Sequence, residues 1–276
     1  MAEVTVAAAI RDAAANLAAT SDTARLDAEL LMAHALGTTR SAVLLRHMAD
    51  PSPSAFAALV RRRAGHEPVA YITGVQDFYG RPFRVGPGVL IPRPDSETIV
   101  EAALAACPTP QRVLDLGTGS GALLLTVLAE SGAAEGVGLE RSAEARAIAA
   151  ANAAAIAPKA RIIGGDWHRF GWADTLGRFD LVLANPPYVE AAADLSPDVR
   201  LWEPAGALFA GDDGLDDYRV IVPQLPGLLT AGGVAVLEIG WTQAAAVTAL
   251  AARAGMATTL HRDLAGRPRA LVLRRN

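Results

Sequence analysis

Beyond about residue 95 the chain alternates short apolar runs with longer stretches whose apolar residues recur every three or four positions. That texture belongs to a parallel sheet buried on both faces, with crossover helices joining its strands. Strands are predicted at 112–116, 136–140, 161–163, 179–184, 234–239, 256–260 and 269–273, and helices at 96–106, 122–131, 143–155, 216–229 and 242–254. Only a short loop around Ala265-Gly266-Arg267-Pro268 separates the last two strands, so these should pair antiparallel. The expected class is α/β: a Rossmann-like, seven-stranded, mostly parallel sheet with an antiparallel edge strand.

The preceding residues have two other textures. From 4 to 64 the pattern is helical: Leu26, Leu30, Leu31 and Ala35 fall at helix spacing, Gly37 can end a helix, and Asp50-Pro51-Ser52-Pro53 marks a turn. Between His66 and Pro94, aromatics, β-branched residues, Gly and Pro take over, which reads as a hairpin linker. The expected organisation is a small helical domain at 1–65, a β-hairpin linker at 66–94 and an α/β domain at 95–276.

Composition narrows the function. A net charge of -4 gives no broad basic field to hold a nucleic-acid backbone by counterion release, and the run Arg61-Arg62-Arg63 reads as a solvated helix face. With one cysteine, Cys107, neither an internal disulfide nor a cysteine-based zinc site is available, which points to the cytoplasm. No metal is expected. The N-terminal residues lack the basic segment of a signal peptide, and no uncharged apolar run reaches the ~20 residues needed to cross a bilayer.

Two loops carry the candidate chemistry. The segment Asp115-Leu116-Gly117-Thr118-Gly119-Ser120-Gly121 falls where the first strand of the sheet should end and a helix begin, the ligand-binding edge of an open α/β sheet. Its glycines let backbone approach a ligand, with Thr118 and Ser120 adding hydroxyls. A dinucleotide loop would place its third glycine one residue later. Asp115 would also oppose a pyrophosphate, whereas it suits the cationic amino-acid tail of S-adenosylmethionine, unless it only orients the loop. One βα unit on, Glu140 offers two acceptor oxygens to vicinal ribose hydroxyls, or is a helix N-terminal charge. After the third strand, Asp166 and Trp167 are candidates to bracket adenine, or are a surface cap beside a core indole.

The second loop is Asn185-Pro186-Pro187-Tyr188, directly after the strand 179–184. Each proline biases the preceding residue towards extended backbone, so the turn is stiff. Neither supplies an N–H, which leaves carbonyl oxygens and the Asn185 side chain as acceptors. Fixed acceptors suit an –NH2 group gripped through its hydrogens while the nitrogen faces a methyl donor, and they strengthen as positive charge develops on that nitrogen. Tyr188 is expected to pack against or shield the planar acceptor, or to serve as a core or turn tyrosine.

Together these residues resemble the HemK/PrmC family of protein-(glutamine-N5) methyltransferases. The resemblance extends to His66-Glu67-Pro68-Val69-Ala70-Tyr71-Ile72-Thr73-Gly74, Phe78-Tyr79-Gly80, Leu90-Ile91-Pro92-Arg93-Pro94-Asp95-Ser96-Glu97, Glu203-Pro204 with Ala207-Leu208, Gly214-Leu215-Asp216 and Leu237-Glu238-Ile239-Gly240. It implies a class I S-adenosylmethionine-dependent methyltransferase fold and, as methyl acceptor, the glutamine of the Gly-Gly-Gln loop in class 1 peptide chain release factors. The helical N-terminal domain would help dock the factor. The family's cofactor residues map to Gly117 through Gly121, Glu140, Trp167 and Asn185, and its substrate residues to Asn185 through Tyr188. Glu140 stands where the family usually has Asp and Ser96 where it usually has Thr; both keep the hydrogen-bonding group.

Asn-Pro-Pro-Tyr also resembles the turns of DNA adenine-N6 and ribosomal guanine-N2 methyltransferases, whose amines pose the same problem. Those substrates call for a basic channel and, for a flipped base, a recognition domain. The acidic balance and small helical extra domain favour a protein substrate, with no membrane or direct nucleic-acid partner expected. A module that binds the cofactor without transfer would show a broken glycine loop or an altered Asn185, and neither is present.

Overall fold

A computed structural model describes residues 4–276; the first three residues of the expected helical domain lie outside the described residues. The chain forms two compact units: residues up to Val75 together with Leu195–Trp202, and Gln76–Asp194 together with Glu203–Asn276.

The first unit is helical. In α1 (Val6–Leu17) the residues Val6, Ile10, Ala13 and Leu17 recur at helix spacing and are buried, and Thr5 caps the N-terminus through a bond from the Ala8 amide. In α2 (Ala24–Ala35) the inward face is Ala28, Leu31 and Met32, whereas Leu26, expected inside, is exposed. A short α3 (Arg40–Ala42) continues into a π-helical turn, followed by α4 (Phe56–Ala64). Arg63 departs from the expected solvated face: it is buried and pairs with the buried Asp27 at 2.7 Å. Removing either partner would strand a buried charge at a cost of about 3–5 kcal/mol. Residues 69–73, expected in the hairpin linker, form α5 (Val69–Thr73), closed by Gly74 in the left-handed region.

The second unit opens with a two-stranded sheet, β1 (Val75–Phe78) and β2 (Arg81–Arg84), which starts one residue before the unit's own boundary. Its turn, Tyr79-Gly80, has positive φ at both positions, as a tight hairpin requires. The Tyr79 amide donates to Glu97 Oε1 at 2.8 Å. Then follow α6 (Glu97–Ala106), β3 (Arg112–Leu116), α7 (Ala122–Ser131), β4 (Glu135–Glu140), α8 (Ala143–Ile156), β5 (Ala160–Gly164) and β6 (Phe179–Ala184). After α9 (Pro197–Trp202), which belongs to the first unit, come α10 (Asp216–Leu228), β7 (Leu229–Glu238), α11 (Ala244–Arg253), β8 (Met256–Arg262) and β9 (Pro268–Arg275).

The seven-stranded sheet has the order β5-β4-β3-β6-β7-β9-β8. Strands β3 to β7 pair in parallel, and β9 runs antiparallel to both of its neighbours. The last two strands pair antiparallel as expected and β8 forms the edge; β9 turns back from β8 and fills the slot beside β7. Alternate residues feed two cores. Leu114, Val182, Ala235 and Leu271 face one side, under α10 and α11, while Val113, Leu181, Val236 and Val272 face the other, with α6 and α7. Each fully buried Val or Leu contributes about 1.5–3 kcal/mol relative to exposure, which explains why these strands read as unbroken apolar runs. Among the described residues, no helix is long and apolar enough to cross a membrane.

The order also locates the site. From β3 the chain steps outward to β4 and β5, then returns across β3 to β6, so the loops after β3 and β6 part at a topological switch point.

Candidate active site

A cleft of about 370 Å³ opens at this switch point. Its walls include Asp115, Gly117, Thr118, Gly119, Ser120, Glu140, Trp167, Asn185 and Pro187. These nine residues come from the ends of three adjacent strands and the loop after β5.

The glycine loop is bound into its shape. Gly117, Gly119 and Gly121 all have positive φ, and a Cβ on Gly117 would meet Trp167 Cη2 at 3.0 Å. Gly121 does not line the cleft; it is the left-handed residue that starts α7, and its own Cβ would strike Leu125 at 2.7 Å. A Cβ on Gly119 would meet only Gly117 O, at an ordinary 4.0 Å, so its constraint is conformational, and any side chain there would have to adopt a left-handed backbone. The Ser120 carbonyl accepts from Asn152 Nδ2 at 2.8 Å, and the same amide exchanges bonds with both backbone groups of Arg84. Asn152 thus ties the loop to the hairpin, a link between distant segments that sequence spacing cannot show.

Asp115 is almost fully buried. Its Oδ2 accepts from Thr118 Oγ1 at 2.6 Å, and its Oδ1 has no hydrogen-bond partner among the described residues. Burial pushes this carboxyl up to about 7; the Thr118 hydroxyl and the Leu124 amide oppose the shift and nearby Glu140 adds to it. A buried, partnerless carboxylate oxygen in a cleft wall is an uncompensated cost that a ligand cation would relieve.

Glu140 ends β4 with both oxygens engaged by backbone: Gly119 N–H donates to Oε2 at 3.0 Å and Ser142 N–H to Oε1 at 2.8 Å. Each oxygen retains a lone pair for a ligand hydroxyl. Glu140 therefore also braces the glycine loop, a second task that the sequence did not reveal. The Trp167 indole lies over Gly117 and is fixed by its Nε1–H donating to Asp217 at 2.8 Å. Asp166 is not in the cleft wall; its carboxylate accepts from the His168 amide at 3.0 Å, closing a local turn.

Asn185 is half-buried in the wall, next to buried Pro186 and Pro187. The carbonyls of Asn185 and Pro186 take no part in the backbone hydrogen bonds of turns and loops. Beyond them the chain is anchored by Val189, whose amide donates to Leu208 O at 2.8 Å and whose carbonyl accepts from Ala210 N at 2.9 Å. Tyr188 turns away from the cleft: its ring packs on the core beside β6 and β7, and its hydroxyl lies 3.4 Å from Glu238 Oε1. Burial, then the Glu238 charge, raises the Tyr188 pKa. Glu238 is itself pushed up to about 7 by burial, against Ser96, Arg269 and Tyr188. Opposite the glycine loop, Leu90 and Pro92 line the cleft, and Glu203 holds their segment by accepting from the Ile91 amide at 3.1 Å and pairing with Arg93.

The arrangement presents one buried carboxyl, a second carboxylate braced by backbone amides, an indole face and, across the cleft, acceptors on a rigid turn. These groups are chemically compatible with S-adenosylmethionine, which carries a cationic tail, ribose hydroxyls and a flat base.

Comparisons with known proteins agree. Residues 8–74 match the PrmC N-terminal domain and residues 95–203 the methyltransferase small domain. A release factor glutamine methyltransferase of Cereibacter sphaeroides is 44% identical over 271 residues, covering 95% of each chain. Its namesake in Rhodospirillum rubrum is 40% identical over 260 residues, covering 91% of this chain and 79% of that one. In fold, a methyltransferase from Pyrococcus furiosus matches with a TM-score of 0.54 at 16% identity, covering 71% of this chain and 89% of that one. With the helical unit, the glycine-loop cleft and relatives of this similarity along nearly the whole chain, the protein belongs to the release factor glutamine methyltransferase family.

Proposed function

We propose that the protein transfers the methyl group of S-adenosylmethionine to the side-chain amide nitrogen of the glutamine in the Gly-Gly-Gln loop of class 1 peptide chain release factors. The observation that carries this reading is Asn185 on a diproline turn in the same cleft as Asp115, whose Oδ1 has no hydrogen-bond partner among the described residues.

When bound, the cofactor supplies an electrophilic methyl group on a sulfonium. Asp115 would hold its ammonium and Glu140 its ribose hydroxyls. The Asn185 side-chain oxygen and the Pro186 carbonyl accept the two amide hydrogens of the substrate glutamine, which orients the nitrogen lone pair. An amide nitrogen is a weak nucleophile because that lone pair is delocalised. Acceptors that tighten as the nitrogen becomes tetrahedral and positive stabilise the transition state more than the ground state. Fixed placement replaces a bimolecular encounter. The proton passes to solvent water after charge has developed, so the residues of the turn need no basic side chain.

The helical unit serves as a docking element for the factor in this reading. The net charge of -4 and the full-length relatives argue for a protein substrate over a nucleic-acid amine. Incubation of the enzyme with cofactor and a purified release factor should add one methyl group to the Gly-Gly-Gln peptide, located by peptide mass spectrometry. Transfer to DNA or ribosomal RNA with the factor unmodified would refute it.

A further inference from the structure

The Asn185–Tyr188 turn is stiff within itself, but stiffness does not fix where it stands. At its far end one buried side chain, Gln243, bonds three separate loops. Its Nε2 donates to Tyr188 O at 3.0 Å and to Gly214 O at 3.2 Å, and its Oε1 accepts from Gly240 N–H at 3.0 Å. The amide orientation is forced, because Gly240 N–H can only donate and the two carbonyls can only accept.

Both neighbouring glycines keep room for this amide. A Cβ on Gly214 would lie 2.2 Å from Tyr188 O and 2.7 Å from Gln243 Nε2, and one on Gly240 would lie 2.9 Å from Gln243 Oε1. Gly214 also has φ +68°, open to glycine at little cost. At the other end of Tyr188 the hydroxyl meets Glu238, so the residue is held at backbone and at ring.

We propose that Gln243 is a positioning residue for methyl transfer: by gripping the Tyr188 carbonyl it sets the place of the Asn185 acceptor against the cofactor cleft. Gln243 does not line that cleft, so its effect passes through Tyr188. The inference rests on the reaction proposed above, and its test has a readout that does not.

Gln243→Glu keeps the length and the acceptor for Gly240 but loses both donors. Gln243→Met removes all three bonds without adding charge, and it carries the same readouts if the glutamate variant fails to fold. Misplacing a reacting group by about 1 Å can cost about a hundredfold in rate. The expected result is therefore a fall in kcat of about that size, with cofactor affinity within about threefold of wild type. Tyr188-Val189 is the one Tyr-Val step in the sequence, so pairing 13C-carbonyl tyrosine with 15N valine isolates the Tyr188 carbonyl resonance in the free protein. That resonance should move in both variants. A kcat within about threefold of wild type, a loss matched by equal loss of cofactor affinity, or an unmoved resonance overturns the proposal. If wild type methylates no release factor, the assigned reaction fails, and the resonance still decides whether Gln243 grips Tyr188.

Discussion

The buried carboxyl of Asp115 makes cofactor binding a titration. Its pKa is raised to about 7, chiefly by burial, so in the free protein it is largely neutral at pH 6 and largely ionised at pH 8. A cationic ligand tail requires the ionised form. Apparent affinity should therefore fall towards tenfold per pH unit below 7, which makes binding at pH 6 roughly tenfold weaker than the limiting value, with close to one proton released per ligand bound. Above about pH 8 the free cofactor's own amino group loses its charge, so the optimum is narrow. Calorimetry in two buffers of different ionisation enthalpy measures both affinity and proton release. In Asp115→Asn the slope below pH 7 should vanish and affinity at pH 7.5 should drop about 10- to 100-fold, the loss of a charge-assisted bond worth roughly 1.5–3 kcal/mol. Folding moves the other way. Because the folded-state pKa lies above its ordinary value, the carboxyl costs stability as pH rises from about 4 to 7 and that cost persists above 7. The asparagine variant should thus melt no lower than wild type at pH 8, which excludes misfolding as the cause of weak binding. A pH-independent affinity between 5.5 and 7.5 in wild type, or an unchanged slope in the variant, would refute the assignment of Asp115 to the cationic tail.

Three further outcomes are expected. Asn185→Ala should keep cofactor binding within a few-fold while methyl transfer to the release factor falls at least a hundredfold, read by single-turnover assay; unchanged turnover would remove Asn185 from the chemistry. Gly119→Val should weaken the cofactor measurably by calorimetry, because a β-branched residue resists the φ of +56° that the loop requires. Gly138→Ala tests the link between sheet and loop. Its Cβ would lie 2.9 Å from Thr118 Cγ2 and 3.0 Å from Ile162, so Thr118, and through it Asp115, must shift. About tenfold weaker cofactor binding with a stability loss of about 1–3 kcal/mol is expected from overpacking, and wild-type affinity in a destabilised variant would break the link.

Most elements of the α/β unit and both chemistry-bearing loops were legible in local residue patterns. Apolar runs such as Val113-Leu114 and Leu181-Val182-Leu183 specify strands covered on both faces, and the glycines at 117, 119 and 121 and the prolines at 186 and 187 act through their own backbone restrictions. Such properties are local, and no partner is needed to read them. The helix expected at 216–229 forms as α10 in spite of Pro223 and Pro226, with Tyr218, Ile221, Val222, Leu225 and Leu228 buried along it. The folded chain settles what each polar side chain faces. It turned Arg63 inward to Asp27, moved Tyr188 from the cleft to Glu238, gave Asp166 to a local turn, and made Asn152 and Gln243 struts between loops far apart in sequence. It also placed β9 inside the sheet, since pairing order depends on which slot a strand fills and not on its own pattern. Hydrogen bonds between distant segments and the burial that shifts Asp115 arise only once the chain has closed on itself, and no local pattern encodes them.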